Sequence, residues 1–403
     1  MPGVSGLIGI EEARGRVLAT VRPLAAENVP LADALGRVLA ADVDSPVDVP
    51  PFDSSAMDGF AVVVGAEGTL PVTGESRAGA PSAGALEPGT AVRISTGARI
   101  PRGTGSVVPV EHTREAIAGR VAVPASAPGA NIRRRGEDVR TGDRVLARGD
   151  VLSPAALGVM ASVGLPAVRC TARPSVAILA TGDELVEPGG PLGPGQIWSS
   201  NPPALAGQVV QAGGVVERVS RLPDDAEATR RALESAVAEA DVVVVSGGVS
   251  VGPHDHVKGA LAAIGADERF WGVALRPGKP TWFGTASAAG RTVLAFGLPG
   301  NPVSAMVCFQ LFVRPALRAL QGADPAAVRT TARLDEEVAR HPRREQAVRC
   351  RLRDAADGLY AAPTGPQGSH VLTSMLAADA LALVGAGEGV AEAGERVEVE
   401  LLS

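Results

Sequence analysis

The chain has 403 residues, 45% apolar, 20% charged and 3% aromatic, with a formal net charge of −6. That length exceeds what one hydrophobic core supports and predicts several domains, while the acidic balance and scarce aromatics (Tyr360 is the single tyrosine) exclude a stacking or basic nucleic-acid surface. Cys170, Cys308 and Cys350 are scattered and odd in number, which fits a reducing cytoplasm rather than a disulfide framework or a CxxC metal site. The first residues lack an export signal, and no run of about 18 apolar residues is free of charge, so neither export nor membrane insertion is expected.

In chain order, residues 11–42 read as helical, with Leu31, Leu35, Val38 and Leu39 on one apolar face. Residues 46–146 change character. The β-like runs GFAVVV, TAVRIS, GSVVPVEH and GRVAVP alternate with Gly and Pro turns, which predicts a β-rich module inserted into a helical one. Ser153 as cap, Pro154 at the first helical position and Gly164 as stop bracket a second helix over ALGVMASV.

From Pro174 to Gln321 strands alternate with helices, the signature of a parallel, layered α/β domain. The strands are SVAILA, VVERVS, DVVVVS and VLAFGLPG; the helices are PALAGQVVQAGG, AEATRRALESAVAEA, HVKGALAAIG and PVSAMVCFQLFVRPALRAL, with Pro302 in the first turn of the last. Short strands through GERVEVELL then predict a small closing β-domain.

Chemistry concentrates around SGGVSVGPHDHVK, Ser246 to Lys258, between a buried strand and a helix. In an open α/β sheet ligands bind beyond the carboxyl ends of the strands, and glycines let backbone N–H groups approach a phosphate. Ser246, Gly247, Gly248 and Ser250 are therefore candidate phosphate donors, against the alternative of a tight turn with no ligand. Asp255 would repel that phosphate unless a cation such as Mg²⁺ stood between them; its alternative is helix capping. Asp183, Glu184 and Asp224 sit at neighbouring strand ends, and Asp224 also has capping-box spacing to Glu227. Arg276 and Lys279 flank a Pro-Gly turn and suit an oxyanion, or are surface charge. Earlier in the chain, PPFDSSAMDGFAV is expected to bury Met57 and Phe60 around Asp58, RISTGARIP offers Thr96, and NIRRRGEDV supplies Arg133, Arg134, Arg135, Glu137 and Asp138; each of the three alone is an ordinary turn or charge run.

Taken in order, SAMDGFAV, ISTGARIP, NIRRRGEDV, ATGDEL, SGGVSVGPHDHVK, RPGKP, FGLPGNPVS and QGSH resemble the molybdopterin molybdenumtransferases, the MoeA family, to which the gephyrin E domain is related. The resemblance implies an elongated multidomain α/β protein. Its domains are a helical N-terminal one (1–45 with 147–173), a β-rich insert (46–146), a three-layer α/β molybdopterin-binding domain (174–323) and a C-terminal β-barrel-like domain (324–403). It implies a cytoplasmic homodimer that inserts molybdate into adenylylated molybdopterin with release of AMP, using Mg²⁺ and receiving its substrate from a separate adenylyltransferase. Carried over by position, the catalytic set is Asp58, Thr96, Glu184, Asp224 and Asp255. Asp224, Asp255 and Glu184 would hold the metal. Ser246, Gly247, Gly248, Ser250, Gly252, Arg276, Lys279, Pro299, Pro302, Ser304, Arg349 and Ser369 would bind the substrates.

Two positions depart from the family pattern in charge, Gly272 where a lysine is frequent after Trp271 and Ser199 where an aspartate is common, and the first cation of the family's KPGKP turn is here Arg276 instead of lysine. Two other functions fit part of the sequence. Molybdopterin adenylyltransferases share the α/β domain and its SGG loop, and a gephyrin-like scaffold would share the whole chain but would not need Asp58, Glu184, Asp224 and Asp255 together.

Overall fold

The structure, a computed structural model, describes residues 6–117, 119–250 and 255–402. The chain divides into two compact units, one of residues 28–35 and 41–169, the other of residues 1–27, 36–40 and 170–403.

The first unit is built on a six-stranded sheet in the order Ser106–Pro109, Gly59–Val62, Ala91–Ile94, Gly68–Ser76, Arg120–Val123, Arg114–Ile117. The four β-like runs seen in the sequence all supply strands. Side chains alternate across a strand, so Phe60 and Val62 face one core with Val108 and Val121 while Ala61 faces another with Val92 and Ile94. Phe60 is buried as expected, but Met57 is exposed, because its neighbour Asp58 lies in the turn before the strand begins. The helix Pro154–Ser162 has its expected cap, Ser153 accepting from the Ala156 N–H, and Gly164 follows it at φ +81°.

The helical reading of residues 11–42 holds only for Ile10–Thr20. Ala26–Pro30 is a strand and Leu31–Asp33 a single 3₁₀ turn. Pro23 and Pro30 explain the difference, since neither can sit inside a helix without losing a hydrogen bond and clashing with the preceding turn; the leucine spacing that suggested a helix is coincidental.

The second unit carries the α/β layer. Its sheet runs Val215–Leu222, Ser175–Thr181, Val242–Ser246, Arg291–Leu298, Trp282–Ala288, Asp267–Trp271. The first four strands are parallel, as expected; the last two are antiparallel and were not legible in the sequence. Ser175–Thr181 lies between the two strands that follow it in sequence, so the chain leaves it once to each side and a crevice opens at its carboxyl end. Pro302–Leu320 is one long helix interrupted by a π turn at Phe309–Val313. By length and composition it is apolar enough to cross a membrane, but it is mostly buried and packs as the core helix of this layer.

Beyond it, Glu345–Ala355, Gly358–Pro363, Arg329–Leu334, Arg396–Leu401 and Ala380–Val384 pair in that order, and the last returns to the first. This closes a five-stranded barrel around Leu334, Val348, Cys350, Ala382 and Val399. The short strand Leu275–Arg276 adds in parallel to Glu345 and Gln346, which brings the Pro-Gly turn of the α/β layer against the barrel.

Candidate active site

The carboxyl ends of the four parallel strands are level: Thr181 pairs with Leu222, Ala180 with Ser246, and Ser246 with Leu298. Every loop leaving them therefore opens on one crevice. There a cavity of about 680 Å³ is lined by Glu184, Asp224, Asp255, Ser246 to Ser250, and the Pro299–Pro302 turn, with Trp198, Ser199, Asn201 and His370. Three carboxylates stand on its wall, and neither lysine nor arginine is among its described lining residues.

The glycine loop is shaped by contacts that only glycine permits. Gly247 has φ +93° and a Cβ there would lie 2.9 Å from both the carbonyl oxygen and Oγ1 of Thr181; Gly248 has φ +66° and faces Val257 as closely. Ser246 is buried, accepts a hydrogen bond from Asn201 Nδ2 at 2.7 Å and faces the Pro299 carbonyl at 3.4 Å. The same Asn201 amide donates to the Gly300 carbonyl at 2.7 Å, tying the two turns together. Gly252 lies outside the described residues.

The acids are positioned by their strand ends. Asp183 accepts from the Asp224 N–H at 3.1 Å while Asp224 faces the Asp183 N–H at 3.5 Å, a reciprocal clasp between two adjacent strands. The capping alternative for Asp224 fails, because its neighbour Asp225 is the N-cap of Ala226–Glu239 and accepts from the Ala228 N–H at 2.7 Å. At the helix Val257–Ala263 the cap position belongs to His256, and Asp255 stands on the cavity wall. Among the described residues no group of three or more His, Cys, Asp and Glu side chains forms a metal site by itself. Mg²⁺ bound to a phosphorylated ligand needs only one or two carboxylates, with phosphate oxygens and water completing its shell, so hard oxygen donors on a wall without cations suit it.

A second, smaller cavity of about 270 Å³ lies where the Pro-Gly turn meets the barrel, lined by Arg276 and Arg349 with Glu336, Glu337, Gln346 and Gln367 among others. Arg349 is 1% exposed. Its guanidinium donates to Ser374 Oγ at 3.1 Å and to the Gly368 carbonyl at 3.1 Å, with no carboxylate among its described partners. Burial pushes its pKa down from the ordinary arginine value to about 10. Arg276 reaches Gln346 Oε1 at 3.4 Å. Lys279 is exposed at the end of the turn, beside Pro280, which lines the first cavity.

One loop joins the two cavities. Gly365 and Gln367 line the second and His370 the first. Between them Ser369 accepts from Asn301 Nδ2 at 3.0 Å, and its carbonyl receives the Val303 N–H. Asn301 thus turns its side chain to the loop instead of capping the helix that starts at Pro302. Ser304 is buried in the first turns of that helix.

Asp58 and Thr96 are brought together in the other unit, where the Thr96 N–H donates to Asp58 Oδ1 at 2.9 Å. The NIRRRGEDV run is structural in part, since Arg134 pairs with Asp53 and Arg135 with Asp48. Asn201, Asn301, Trp198 and His370 were not singled out from the sequence; only the position of each asparagine beside a proline at a helix start offered a signal. The two departures have local meanings. Gly272 has φ +90° and a Cβ there would meet Leu7 at 2.8 Å, so a lysine would be strained on this backbone. Ser199 is buried on the first cavity's wall with its hydroxyl unpartnered among the described residues.

Models of known families match nearly the whole chain: the MoeA N-terminal region (domain I and II) over residues 8–164, the probable molybdopterin binding domain over 177–319 and the MoeA C-terminal region (domain IV) over 331–402. Molybdopterin molybdenumtransferase 2 of Mycobacterium tuberculosis is 38% identical over 92% of this chain and 94% of that protein. The molybdopterin molybdenumtransferase of Haemophilus influenzae is 36% identical over 98% of each. The crystal structure of the molybdopterin biosynthesis moeA protein from Pyrococcus horikoshii superposes with a TM-score of 0.82 at 30% identity, covering 98% of this chain and 100% of that one. With an α/β layer, a closed five-stranded barrel and matches along almost its full length, the chain belongs to the MoeA family of molybdopterin molybdenumtransferases.

Proposed function

We propose that the chain inserts molybdate into adenylylated molybdopterin and releases AMP, completing the molybdenum cofactor. The observation that carries this reading is the pairing of two unlike cavities through one loop: an acid-lined cavity beside a glycine turn, and a cavity beside it in which the buried Arg349 and Arg276 stand with Glu336 and Glu337.

In this reading the amides of Ser246 to Ser250 receive the phosphates, with Gly247 and Gly248 giving the backbone its close approach. Asp224 and Asp255, with Glu184 near, would hold Mg²⁺, which supplies charge neutralisation for phosphate oxygens that bare carboxylates would repel. Arg349 and Arg276, with Lys279, Ser304 and Ser369, receive the molybdate dianion. A guanidinium already stripped of water, as Arg349 is, gains more from an anion than an exposed one does. Pro299 and Pro302 fix the turn that separates the phosphate loop from Ser369. Asp58 and Thr96 stay in the catalytic set on their motifs. No side chain is required as a covalent nucleophile. The four-domain division, the homodimer, a cytoplasmic setting and transient transfer from a separate adenylyltransferase are part of the same proposal.

Mixing the protein with adenylylated molybdopterin, molybdate and Mg²⁺ tests it: AMP release dependent on molybdate is expected. Consumption of ATP with free molybdopterin would instead assign the adenylyltransferase reaction, and neither reaction would leave a scaffold.

A further inference from the structure

The chain has three tryptophans, Trp198, Trp271 and Trp282. The last two form a chain of contacts that ends on the glycine loop. Trp282, 2% exposed, donates its indole N–H to Glu268 Oε2 at 2.7 Å. The same carboxylate oxygen meets Lys258 Nζ at 3.3 Å, and that ammonium stands over the Trp271 ring, 4.6 Å from its centroid. Trp271 in turn donates its indole N–H to the Val249 carbonyl at 3.0 Å.

Val249 is held from its other side as well. Its side chain is buried in the same core as Trp282 and lies over Gly297, where a Cβ would come within 2.5 Å of Val249 Cγ1. The loop is therefore pinned at one residue, through both side chain and carbonyl, between Gly248 and Ser250. The Val249 carbonyl and the Ser250 N–H belong to one planar trans peptide and point in opposite directions. Fixing the carbonyl toward Trp271 sets the direction of the Ser250 N–H, and Ser250 lines the first cavity.

We propose that Trp271 is a positioning residue of the phosphate-binding loop: by fixing the Val249–Ser250 peptide plane it keeps the Ser250 amide preorganised as an anion donor, and Lys258 and Glu268 hold Trp271 in place. This rests on the reading above that the loop receives the substrate's phosphates. The antiparallel edge strand Asp267–Trp271 thereby acquires a role, since it carries both Glu268 and Trp271 to the loop. An anion donor gains its advantage from being held in place before the ligand arrives, so loss of the clamp affects binding of the phosphates and leaves the oxyanion site untouched.

The test uses the full-length protein with Mg²⁺ and ADP as the pyrophosphate-bearing probe, and molybdate titrated separately. Trp271→Phe keeps an aromatic ring and removes the N–H. Losing one neutral hydrogen bond is expected to weaken ADP binding about fivefold to tenfold. Molybdate half-saturation should stay unchanged, and the loss should appear in KM for the adenylylated substrate more than in kcat. Unchanged ADP affinity would overturn the proposal, as would equal weakening for ADP and molybdate, which marks a general packing defect. If Trp271→Phe does not fold, Lys258→Met, whose side chain is partly exposed, is expected to weaken ADP binding about threefold, the order of one exposed cation–π contact; no change there would overturn the proposal too. Failure of the wild-type protein itself to bind ADP would overturn the phosphate-loop reading, a result distinct from wild-type binding that Trp271→Phe leaves intact.

Discussion

Two neighbouring cavities of the second unit differ in charge and in construction. The larger is lined by Glu184, Asp224 and Asp255 and shaped by backbone, at level strand ends where glycines admit close approach. The smaller takes its character from side chains, above all the Arg349 guanidinium, buried inside the barrel mouth with no carboxylate among its described partners, while Glu336 and Glu337 line the same cavity. An anion enters the first only with a cation to screen the acids, and enters the second because a cation is already there and poorly solvated. The proposed reaction, which releases AMP from a pyrophosphate-bearing substrate as molybdate enters it, uses both, and the Gly365–His370 loop borders each.

The comparison breaks most visibly at the acids. Asp224→Ala or Asp255→Ala should abolish Mg²⁺-dependent AMP release, a loss of about a thousandfold or more, while molybdate binding measured by calorimetry stays close to wild type. Arg349→Met should do the converse, raising the half-saturating molybdate concentration about a hundredfold, as expected when a buried charge loses its role in binding, with ADP affinity retained. The same contrast has a pH signature. Burial pushes the Arg349 pKa down to about 10, and in the proposed reading its cationic form binds molybdate. Molybdate affinity is therefore expected to fall as the pH rises through about 10, in a titration that Arg349→Met would lack. The smallest effect separates neighbours: Asp225→Ala should cost about 1 kcal/mol of stability through loss of a helix cap, read by denaturant unfolding, and leave AMP release intact, whereas Asp224→Ala behaves in the opposite way.

That last pair shows what a sequence alone can and cannot resolve. Capping-box spacing in the sequence points to Asp224, yet the structure places Asp224 beside Asp183 at the strand end and gives the cap to its neighbour Asp225, over the Ala228 N–H. The parallel strands and their helices were legible because burial on both faces gives runs such as VVVV. The antiparallel strands Asp267–Trp271 and Trp282–Ala288 were not, since glycine, charge and tryptophan mask any alternation. Leucine spacing suggests a helix over residues 11–42, but Pro23 and Pro30 end it after Thr20. The carboxylates and the glycine loop stand out in the sequence at strand ends and the family resemblance points to Arg349, but burial of Arg349 depends on barrel closure by strands distant in sequence, and Asn201 joins two turns that lie 53 residues apart, a relation no local pattern encodes.

Phosphate and oxyanion are proposed to occupy separate sites, one walled by carboxylates and one built on a buried arginine. The most direct measurement of this is paired calorimetry of ADP with Mg²⁺ and of molybdate on wild type, Asp224→Ala and Arg349→Met. A crossed outcome is expected, in which Asp224→Ala loses Mg²⁺-dependent ADP binding and keeps molybdate, and Arg349→Met loses molybdate and keeps ADP. Loss of both ligands together in either folded variant would contradict it.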